Sequence, residues 1–258
     1  MRIAALYDIH GNLPALDAVL ADVSRSGADT IVVGGDVVPG PMPRESLERL
    51  LDLDLPVRFI HGNCERSVLA QIAGQRTGTV TYWGTVSGNP LPPEDLENMR
   101  WTAHELGPDV EPLFAAWPRT LRLRVDGLGD VVFCHATPRS ETEVFTRRTA
   151  VERLRPLFDG LGAAVVLCGH THMQADRTVG RTRVVNAGSV GAPYGEPAAC
   201  WALLGPGLEL RRTGYDVAAA ARRIRASAYP GRDSYAAQLL APPAEDAMLD
   251  LFSRFELT

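Results

Sequence analysis

The chain has 258 residues, of which 45% are hydrophobic and 22% are charged, and its formal net charge is −5 at pH 7. This length and composition predict a folded protein with a sizeable core. The net negative charge excludes a broad basic surface for nonspecific nucleic-acid binding. It does not exclude a local pocket that is basic or carries metal charge.

The sequence carries no membrane, secretory or disulfide pattern. No apolar stretch approaches the ~20 residues of a membrane span. Asp8 and His10 interrupt any apolar region that could act as a signal peptide. The four cysteines are widely spaced without a C-x-x-C pair, and buried free thiols are expected. We therefore expect a cytoplasmic protein without a membrane partner.

The first sixty residues alternate between strands and helices. Apolar runs at 2–6, 30–33 and 57–60 predict three strands. Asn12 is expected to cap a helix that has Pro14 in its first turn, and 45–51 predict a second helix. Three successive strand–loop–helix units favour a largely parallel sheet with helices on its faces.

The pattern changes at about 74–118, which we interpret as a cap-like insertion. Residues 74–93 are rich in Gly, Thr and Pro and are typical of a loop, whereas 92–106 and 109–117 predict helices. The ring-bearing side chains of the insertion include Tyr82, Trp83, Trp101 and His104. These rings could stack a nucleobase over a crevice, but packing within a cap is their more frequent use.

Strands resume after the insertion. Runs at 121–125 and 131–134 predict a hairpin. Residues 149–159 predict a helix, and 163–168 and 183–185 predict further strands. Runs at 200–204 and 208–212 predict a last hairpin. Residues 215–258 are expected to be helical and to end in an apolar stripe of Met248, Leu251, Phe252 and Phe255. The stripe is expected to pack on its own domain, and a homodimer seam stays open. We expect one domain over 1–258.

Polar residues stand at the ends of five predicted strands. They are Asp8, His10, Asp36, Asn63, His135, His170 and His172. In open α/β sheets, ligand sites lie beyond the carboxyl ends of the strands, so these side chains could converge in one crevice.

The chemistry of this set indicates a metal centre. Carboxylate and imidazole together suit Zn²⁺, Mn²⁺ or Fe²⁺, whereas Ca²⁺ and Mg²⁺ prefer oxygen ligands. Seven ligands exceed one tetrahedral site, but two ions sharing a carboxylate would use them, as is usual in phosphate-ester hydrolysis. Each motif alone has an ordinary explanation as a turn or helix start, and only their conjunction predicts the centre.

The order of the motifs resembles the calcineurin-like metallophosphoesterase superfamily, whose signature runs D-x-H, G-D, G-N-H-[DE], H and G-H-x-H. The matching residues are Asp8-Ile9-His10, Gly35-Asp36, Gly62-Asn63-Cys64-Glu65, His135 and Gly169-His170-Thr171-His172. Residues 186–189, Asn-Ala-Gly-Ser, resemble the turn that follows these motifs in the superfamily. The resemblance implies an α/β (α+β) fold of four layers, a β-sandwich flanked by helices.

The resemblance also implies two divalent transition-metal ions. Asp8, His10 and His172 would hold the first ion. Asn63, His135 and His170 would hold the second, and Asp36 would bridge the two. A bridging water would lose a proton, and the resulting hydroxide would attack phosphorus in line while the ions neutralise the phosphoryl oxygens. Mn²⁺ is the favoured ion, with Fe, Zn, Ni and Co as alternatives.

One position departs from the common signature. Cys64 stands where the superfamily usually has a histidine that protonates the leaving oxygen or holds the phosphate. A thiol is a poor acid for an alkoxide, and the G-N-C-[DE] variant resembles a small prokaryotic phosphodiesterase-like branch. Cys64 is still expected to contact the substrate. His61 could replace the missing acid, or it could be a strand-end histidine held by the backbone.

Two more residues have alternative roles. Arg139 could grip a phosphate oxygen during catalysis, or it could form a surface salt bridge. Asn12 could bind phosphate, although the helix cap is the favoured role.

Together these observations predict a dinuclear metal-dependent phosphoesterase. We favour a phosphodiesterase acting on small or nucleotide substrates. A serine/threonine-type or small-molecule phosphomonoesterase is the alternative. A nuclease acting on long nucleic acid ranks lower, because the chain is acidic and has no cluster of basic residues. A non-catalytic scaffold also ranks lower, because all seven ligand positions carry ligating side chains.

Overall fold

The chain folds around two β-sheets that pack face to face. The structure is a computed structural model that describes residues 1–77 and 92–257, with 75–77 described by their backbone alone. The strands are β1 (Ile3–Leu6), β2 (Thr30–Val33), β3 (Val57–Phe59), β4 (Thr120–Val125), β5 (Gly129–Cys134), β6 (Val165–Cys168), β7 (Ala175–Val179), β8 (Thr182–Asn186), β9 (Ala199–Leu204) and β10 (Leu208–Thr213).

Helices precede and follow these strands. They are α1 (Leu13–Ser26), α2 (Pro43–Leu51), α3 (Asn63–Thr77), α4 (Pro93–Leu106), α5 (Glu111–Ala116), α6 (Val151–Phe158), α7 (Val217–Arg225), α8 (Arg232–Leu240) and α9 (Glu245–Phe252). Helix α1 starts as predicted, since the Asn12 side chain accepts a hydrogen bond from the Ala15 N–H and Pro14 lies in the first turn. The helix ends at Gly27, which adopts the left-handed conformation of a C-cap.

The first sheet has the strand order β10-β9-β1-β2-β3. Strands β1, β2 and β3 are parallel, with Ala4 opposite Ile31 and Ile31 opposite Val57. Strand β9 runs antiparallel to β1 and forms the predicted late hairpin with β10. Every residue of β1 and β2 is buried, as parallel strands covered on both faces require.

The second sheet has the strand order β4-β5-β6-β8-β7. Strands β5, β6 and β8 are parallel, while β4 and β7 pair antiparallel at the two edges. Strand β7 is not predicted by the sequence pattern. Its residues Ala175–Val179 include Asp, Arg and Thr, and it is only half-buried because it lies at an edge.

The parallel strands β1, β2 and β3 confirm the largely parallel sheet predicted from the first sixty residues, and the second sheet completes the sandwich that the resemblance implies. A core of apolar side chains lies between the sheets, including Ile3 and Val32 from the first and Val131, Phe133 and Leu167 from the second. Helices cover the outer faces, with α1 and α2 on the first sheet and α6 on the second. Each sheet therefore buries one face against the other sheet and one face against helices.

The insertion follows its prediction in part. Helix α4 agrees with the predicted helix, whereas α3 continues to Thr77, so the loop does not start at 74. The helix predicted at 109–117 is a 3-10 turn at Pro108–Val110 followed by α5. Tyr82 and Trp83 lie outside the described residues. The cap-like extent of the insertion and the single domain stay predictions.

The C-terminal apolar stripe differs from its prediction. Helix α9 ends at Phe252, and its buried side chains are Leu249 and Phe252, whereas Leu251 is 40% exposed. The buried face of α9 differs from the predicted stripe because Leu249 and Phe252 pack with Val144 and Met173. The helix therefore packs on its own chain, and a homodimer stays a prediction.

Two other expectations concern the cysteines and the membrane. All four cysteines are free and buried, which confirms the prediction; they are Cys64, Cys134, Cys168 and Cys200. Within the described ranges, no helix is both long enough and apolar enough to cross a bilayer.

Candidate metal centre and adjoining cavity

The candidate centre lies just beyond the carboxyl ends of β1, β2, β3, β5 and β6. The structure brings all seven predicted side chains together there, namely Asp8, His10, Asp36, Asn63, His135, His170 and His172. Both sheets contribute, because the carboxyl ends of their parallel strands meet at the same end of the sandwich.

Five of these seven residues have a left-handed backbone. Asp8, His10, Asp36, His170 and His172 have φ values of 54°, 48°, 53°, 69° and 57°. This conformation is uncommon outside glycine, and residues held in it cluster at functional sites. The sharp turns occur where the strands end, so side chains from separate strands can point into one crevice.

The glycines of two motifs make room for the carboxylates. A Cβ atom on Gly62 would lie 2.1 Å from Asp36 Oδ1, and one on Gly169 would lie 2.3 Å from Asp8 Oδ2. Real Cβ atoms essentially never approach so closely. The glycines in G-N-C-E and G-H-T-H are therefore needed for close packing around Asp36 and Asp8.

Glu65 fixes the loop that carries Asp36. This fully buried carboxylate accepts hydrogen bonds from the backbone N–H groups of Asp36 (2.9 Å), Val37 (2.8 Å) and Gly62 (2.9 Å). Burial and the nearby Asp36 charge raise the pKa of Glu65 to about 7. Glu65 therefore orients the Asp36 loop through hydrogen bonds to three backbone N–H groups.

The stretch at 186–189 braces the loops of Asp8 and His170. The Asn186 amide donates to the Gly169 carbonyl at 2.6 Å, and Ser189 Oγ donates to the Asp8 carbonyl at 2.7 Å. These bonds join the loops that follow β1 and β6, so the two sheets hold their candidate ligands in a fixed relation.

One group of donor atoms lies around His172. His172 Nε2 is 3.1 Å from His10 Nε2 and 3.4 Å from Asp8 Oδ1. His172 Nδ1 lies 2.8 Å from the Ala192 carbonyl, to which it can donate, leaving the Nε2 lone pair directed at the other two atoms.

A second group lies around His135. His135 Nε2 is 2.9 Å from Asn63 Oδ1 and 3.2 Å from His170 Nδ1, while Nδ1 lies 2.9 Å from the Gly34 carbonyl. Asp36 lies between the groups, since its Oδ2 is 3.5 Å from His135 Nε2 and 3.9 Å from His10 Nε2. Asp8 Oδ1 also lies 3.8 Å from His135 Nε2, so the two groups adjoin, and the division of the ligands between two ions stays a prediction.

The donor atoms fit divalent cations. Ligand atoms about 2.1 Å from one ion and at right angles to each other lie about 3 Å apart, close to the distances within both groups. Two buried polar atoms, Asp8 Oδ1 and His170 Nε2, have no hydrogen-bond partner among the described residues. A buried carboxylate oxygen without a hydrogen-bond donor is costly, and a cation beside Asp8 Oδ1 would relieve that cost.

The histidines of the site differ in the direction of their pKa shifts. Burial lowers the pKa of His10 to about 4 and that of His170 to about 3, and the neighbouring histidines act in the same direction. For His135, burial is outweighed by Asp36, and its pKa rises to about 10. For His172, burial is outweighed by Asp8, and its pKa is raised. The same attraction outweighs burial for Asp8 and Asp36 and lowers both of their pKa values.

A cavity of about 320 Å³ opens beside this centre. His10, Asp36, Asn63, His170 and His172 line its inner end, together with Cys64. A bound molecule could therefore contact the candidate metal ligands directly. Cys64 is held in place because its backbone N–H donates to Asp36 Oδ1 at 2.9 Å. Burial and the Asp36 charge raise the pKa of the Cys64 thiol well above its ordinary value.

The other predicted site residues lie apart from the cavity lining. His61 is half-buried, does not line the cavity, and has its pKa lowered to about 4, chiefly by burial. Arg139 forms the surface salt bridge, with Nε 2.8 Å from Glu143 Oε1. Asn12 is fully buried and caps α1, and its amide donates to the Gly191 carbonyl at 2.8 Å. For Arg139 and Asn12, the structural alternative describes the observed contacts.

The sequence reasoning missed residues near the C-terminus. Tyr194, Tyr229, Tyr235 and Phe252 line the cavity, although they follow the last motif. The Tyr235 hydroxyl lies 3.1 Å from the His10 carbonyl and 3.0 Å from the Gly191 carbonyl. The only sequence signal was the concentration of tyrosines after residue 190, which by itself does not distinguish a cavity wall from a core.

The two facing sheets and their outer helices define the metallophosphoesterase fold. The family model "Calcineurin-like phosphoesterase superfamily domain" matches residues 1–205. The chain therefore belongs to the calcineurin-like phosphoesterase superfamily, which confirms the recognition made from the motifs.

Similar proteins agree with this assignment. "Phosphodiesterase YfcE" of Escherichia coli (strain K12) is 35% identical over 77 residues, a match that covers 26% of this chain and 42% of that protein. A metallophosphoesterase from Sphaerobacter thermophilus is 25% identical, with a TM-score of 0.68 over 93% of this chain and 98% of that one. The hypothetical protein PH1004 from Pyrococcus horikoshii OT3 shares the fold, with a TM-score of 0.76, 20% identity and coverage of 92% and 97%.

Proposed function

We propose that the protein is a phosphodiesterase that hydrolyses small phosphate diesters at a centre of two divalent metal ions. Asp8, His10 and His172 would hold one ion, Asn63, His135 and His170 the other, and Asp36 both. The observation that carries this proposal is the position of Asp36 Oδ2, 3.5 Å from His135 Nε2 and 3.9 Å from His10 Nε2, between the two groups of donor atoms.

The chain's own residues would orient the reaction. Two bound cations would supply an activated water and neutralise charge on the phosphoryl oxygens. The Ala192 and Gly34 carbonyls, by accepting from Nδ1 of His172 and His135, direct both Nε2 atoms into the crevice. In the reaction, oxygen from water bonds to phosphorus, one P–O ester bond breaks, and the departing alcohol takes a proton.

The described residues favour diesters with good leaving groups. The Cys64 thiol holds its proton too tightly to act as an acid, because burial and Asp36 raise its pKa. His61, whose pKa is lowered to about 4, would be neutral near pH 7. Neither group supplies a strong acid for an alkoxide, whereas an aryl oxide needs little protonation to depart. The name of the phosphodiesterase relative supports the same class.

The proposal also covers the identity of the metal ions, the size of the substrate and the location of the protein in the cell. Mn²⁺ is favoured because imidazole and carboxylate ligands suit it, although geometry and availability also decide which metal is bound. The substrate would be a small phosphate ester, and a cytoplasmic location is part of the same proposal.

The test compares bis-p-nitrophenyl phosphate with p-nitrophenyl phosphate on metal-stripped protein, with and without added Mn²⁺. We expect Mn²⁺-dependent hydrolysis, with the diester well ahead of the monoester. A preference for the monoester would contradict the diester assignment and favour the phosphomonoesterase. Failure to hydrolyse either ester, with two metal ions bound per chain, would contradict the proposed activity.

A further inference from the structure

The outer wall of the cavity comes from two regions that carry none of the metal motifs. Helix α4 supplies Asp95 and Met99, and the C-terminal helical segment supplies Tyr229, Gln238 and Phe252. The last three lie beyond residue 205, where the match to the family model ends. This wall can therefore serve a specificity that belongs to this chain rather than to the reaction common to the superfamily.

The two regions of the wall are joined directly. Asn98 on α4 accepts a hydrogen bond from the Gly231 N–H at 2.9 Å, and Trp101 on α4 packs edge-to-face on Tyr229 with centroids 5.4 Å apart. Asn98 is buried, so this link is shielded from water. The wall is therefore a fixed surface of the fold against which a ligand could be positioned.

Aromatic rings line the cavity, two of them from this wall (Tyr229 and Phe252) and two from nearby (Tyr194 and Tyr235). Tyr194 stacks on the candidate ligand His172 with centroids 5.5 Å apart, and Phe252 lies 6.2 Å from Tyr194. Tyr229 lies 6.4 Å from Tyr235 at an interplanar angle of 86°. Aromatic rings that line one cavity can attract an organic cation through their negative faces.

The charges of the cavity point to the same kind of ligand. No arginine or lysine of the described residues lines the cavity, whereas Asp95 stands at its exposed rim. Loss of solvent and the neighbouring Glu94 raise the pKa of Asp95, and no basic group offsets them. Among the described lining residues, a second phosphate or a carboxylate on the substrate would find no positive side chain, while a cation would find a carboxylate.

We propose that this cavity selects phosphodiesters whose second alcohol carries an organic ammonium group. The phosphate lies at the candidate metal centre, and the ammonium lies among Tyr194, Tyr229 and Phe252, with Asp95 beyond it. The substrate class is thus a zwitterionic diester with one negative phosphate and one positive head group. This inference rests on the proposed function, since it places the phosphate at the metal centre.

The test uses three diesters that share p-nitrophenol as leaving group. Their second alcohols are choline, 3,3-dimethylbutanol, which replaces the nitrogen by carbon, and 4-hydroxybutanoate, which carries a negative charge. With Mn²⁺-loaded protein we expect kcat/KM to be about ten-fold higher for the choline ester than for its carbon isostere, the scale of a desolvated cation–π contact. The carboxylate ester should be the slowest.

Asp95→Asn should reduce the preference for choline over its isostere by about three-fold, as expected for loss of a partly exposed charge. Glu97→Gln is the matched control, because Glu97 is exposed on the same helix and does not line the cavity; its preference should stay at the unmutated value. Both substitutions lie on the surface, so folding should be retained. In parallel, calorimetry on metal-free protein compares binding of choline with 3,3-dimethylbutanol, which reads the preference without turnover.

The results separate the two proposals. Equal kcat/KM for the choline ester and its isostere, with bis-p-nitrophenyl phosphate hydrolysed, would overturn the cation pocket and leave the phosphodiesterase intact. An unchanged preference in Asp95→Asn would overturn the role of that carboxylate. If no diester is hydrolysed, the proposed function fails, and tighter binding of choline than of 3,3-dimethylbutanol decides the pocket on its own.

Discussion

The region within residues 1–205 and the segment from 206 onward reach the same crevice in different ways. The first supplies the seven candidate ligands from turns at strand ends, five of them with left-handed backbone. The second supplies helices that stand beside those turns and contribute Tyr229, Tyr235 and Phe252. The motif region holds the candidate ligands with buried hydrogen bonds, whereas the C-terminal segment lines the space beside them.

The two proposals assign the chemistry to the strand-end motifs and the selectivity to a wall formed by α4 and the C-terminal helical segment. Changes in the motif region should alter metal binding and turnover together. Changes in the wall should alter which ester is preferred, except at Tyr235, whose hydroxyl contacts the backbone of His10.

The largest effect is expected for Asp36→Asn, which removes the negative charge between the two donor groups while keeping the shape of the side chain. We expect at least about 100-fold loss in kcat, the scale for losing one preorganised electrostatic group. Hydrolysis of bis-p-nitrophenyl phosphate and metal content per chain would be measured beside Asp52→Asn, an exposed carboxylate that does not line the cavity. Undiminished turnover in Asp36→Asn would contradict the shared-carboxylate centre.

The pH dependence of metal binding tests the electrostatics of the motif region. The pKa of His135 is raised to about 10, so this ring holds an extra proton near pH 7 in the metal-free protein, and the pKa of His172 is raised in the same direction. A cation must displace the proton of His135, so its affinity should fall as pH falls and rise until pH passes that raised pKa. Each displaced proton changes the affinity about ten-fold per pH unit.

The number of displaced protons can be measured directly. Mn²⁺ titrations by calorimetry at pH 7, in two buffers of different ionisation enthalpy, should give a net release of protons. A binding constant that does not change between pH 6 and pH 8 would show that these rings are not the ligands.

Gly62→Ala should disturb the motif region by steric overlap, without changing its charge. The added Cβ would stand 2.1 Å from Asp36 Oδ1. Overpacking of this kind costs about 1–3 kcal/mol. We expect a lower melting temperature and weaker Mn²⁺ binding, measured by thermal denaturation and calorimetry. Gly214→Ala is the matched control, because nothing lies within 4 Å of its added Cβ; an equal loss in both variants would argue against the packing explanation.

The smallest effect is expected for Tyr235→Phe, which tests whether the C-terminal segment supports the motif region. The variant removes the hydroxyl that can donate to the carbonyls of His10 and Gly191. One hydrogen bond contributes about 0.5–1.5 kcal/mol, so Mn²⁺ affinity should fall about two- to ten-fold. Tyr229→Phe is the comparison, since its ring lies in the wall, and its Mn²⁺ affinity should not change. Equal affinities in the two variants would show that Tyr235 only lines the cavity.

The sequence predicted much of the fold because its signals are local. Apolar runs located β1, β2 and β6 within one or two residues, and Asn12 with Pro14 marked the start of α1. Strand β7 was missed because an edge strand needs few apolar residues. The number of sheets could not be derived from the strand pattern, since buried strands look alike whether a helix or another sheet covers them.

The seven candidate ligands were also found from the sequence alone, because strand ends bring chemistry-bearing residues to one edge and the motifs fall in a family-specific order. Asp36 was already the predicted bridging residue, whereas only the tertiary structure showed that Glu65 binds the Asp36 loop and that Arg139 pairs with Glu143 instead of reaching the crevice. It alone placed Tyr229 and Asp95 in one cavity, although 134 positions separate them in the chain (229 minus 95). Contacts between distant segments depend on packing, which leaves no periodic trace in the sequence.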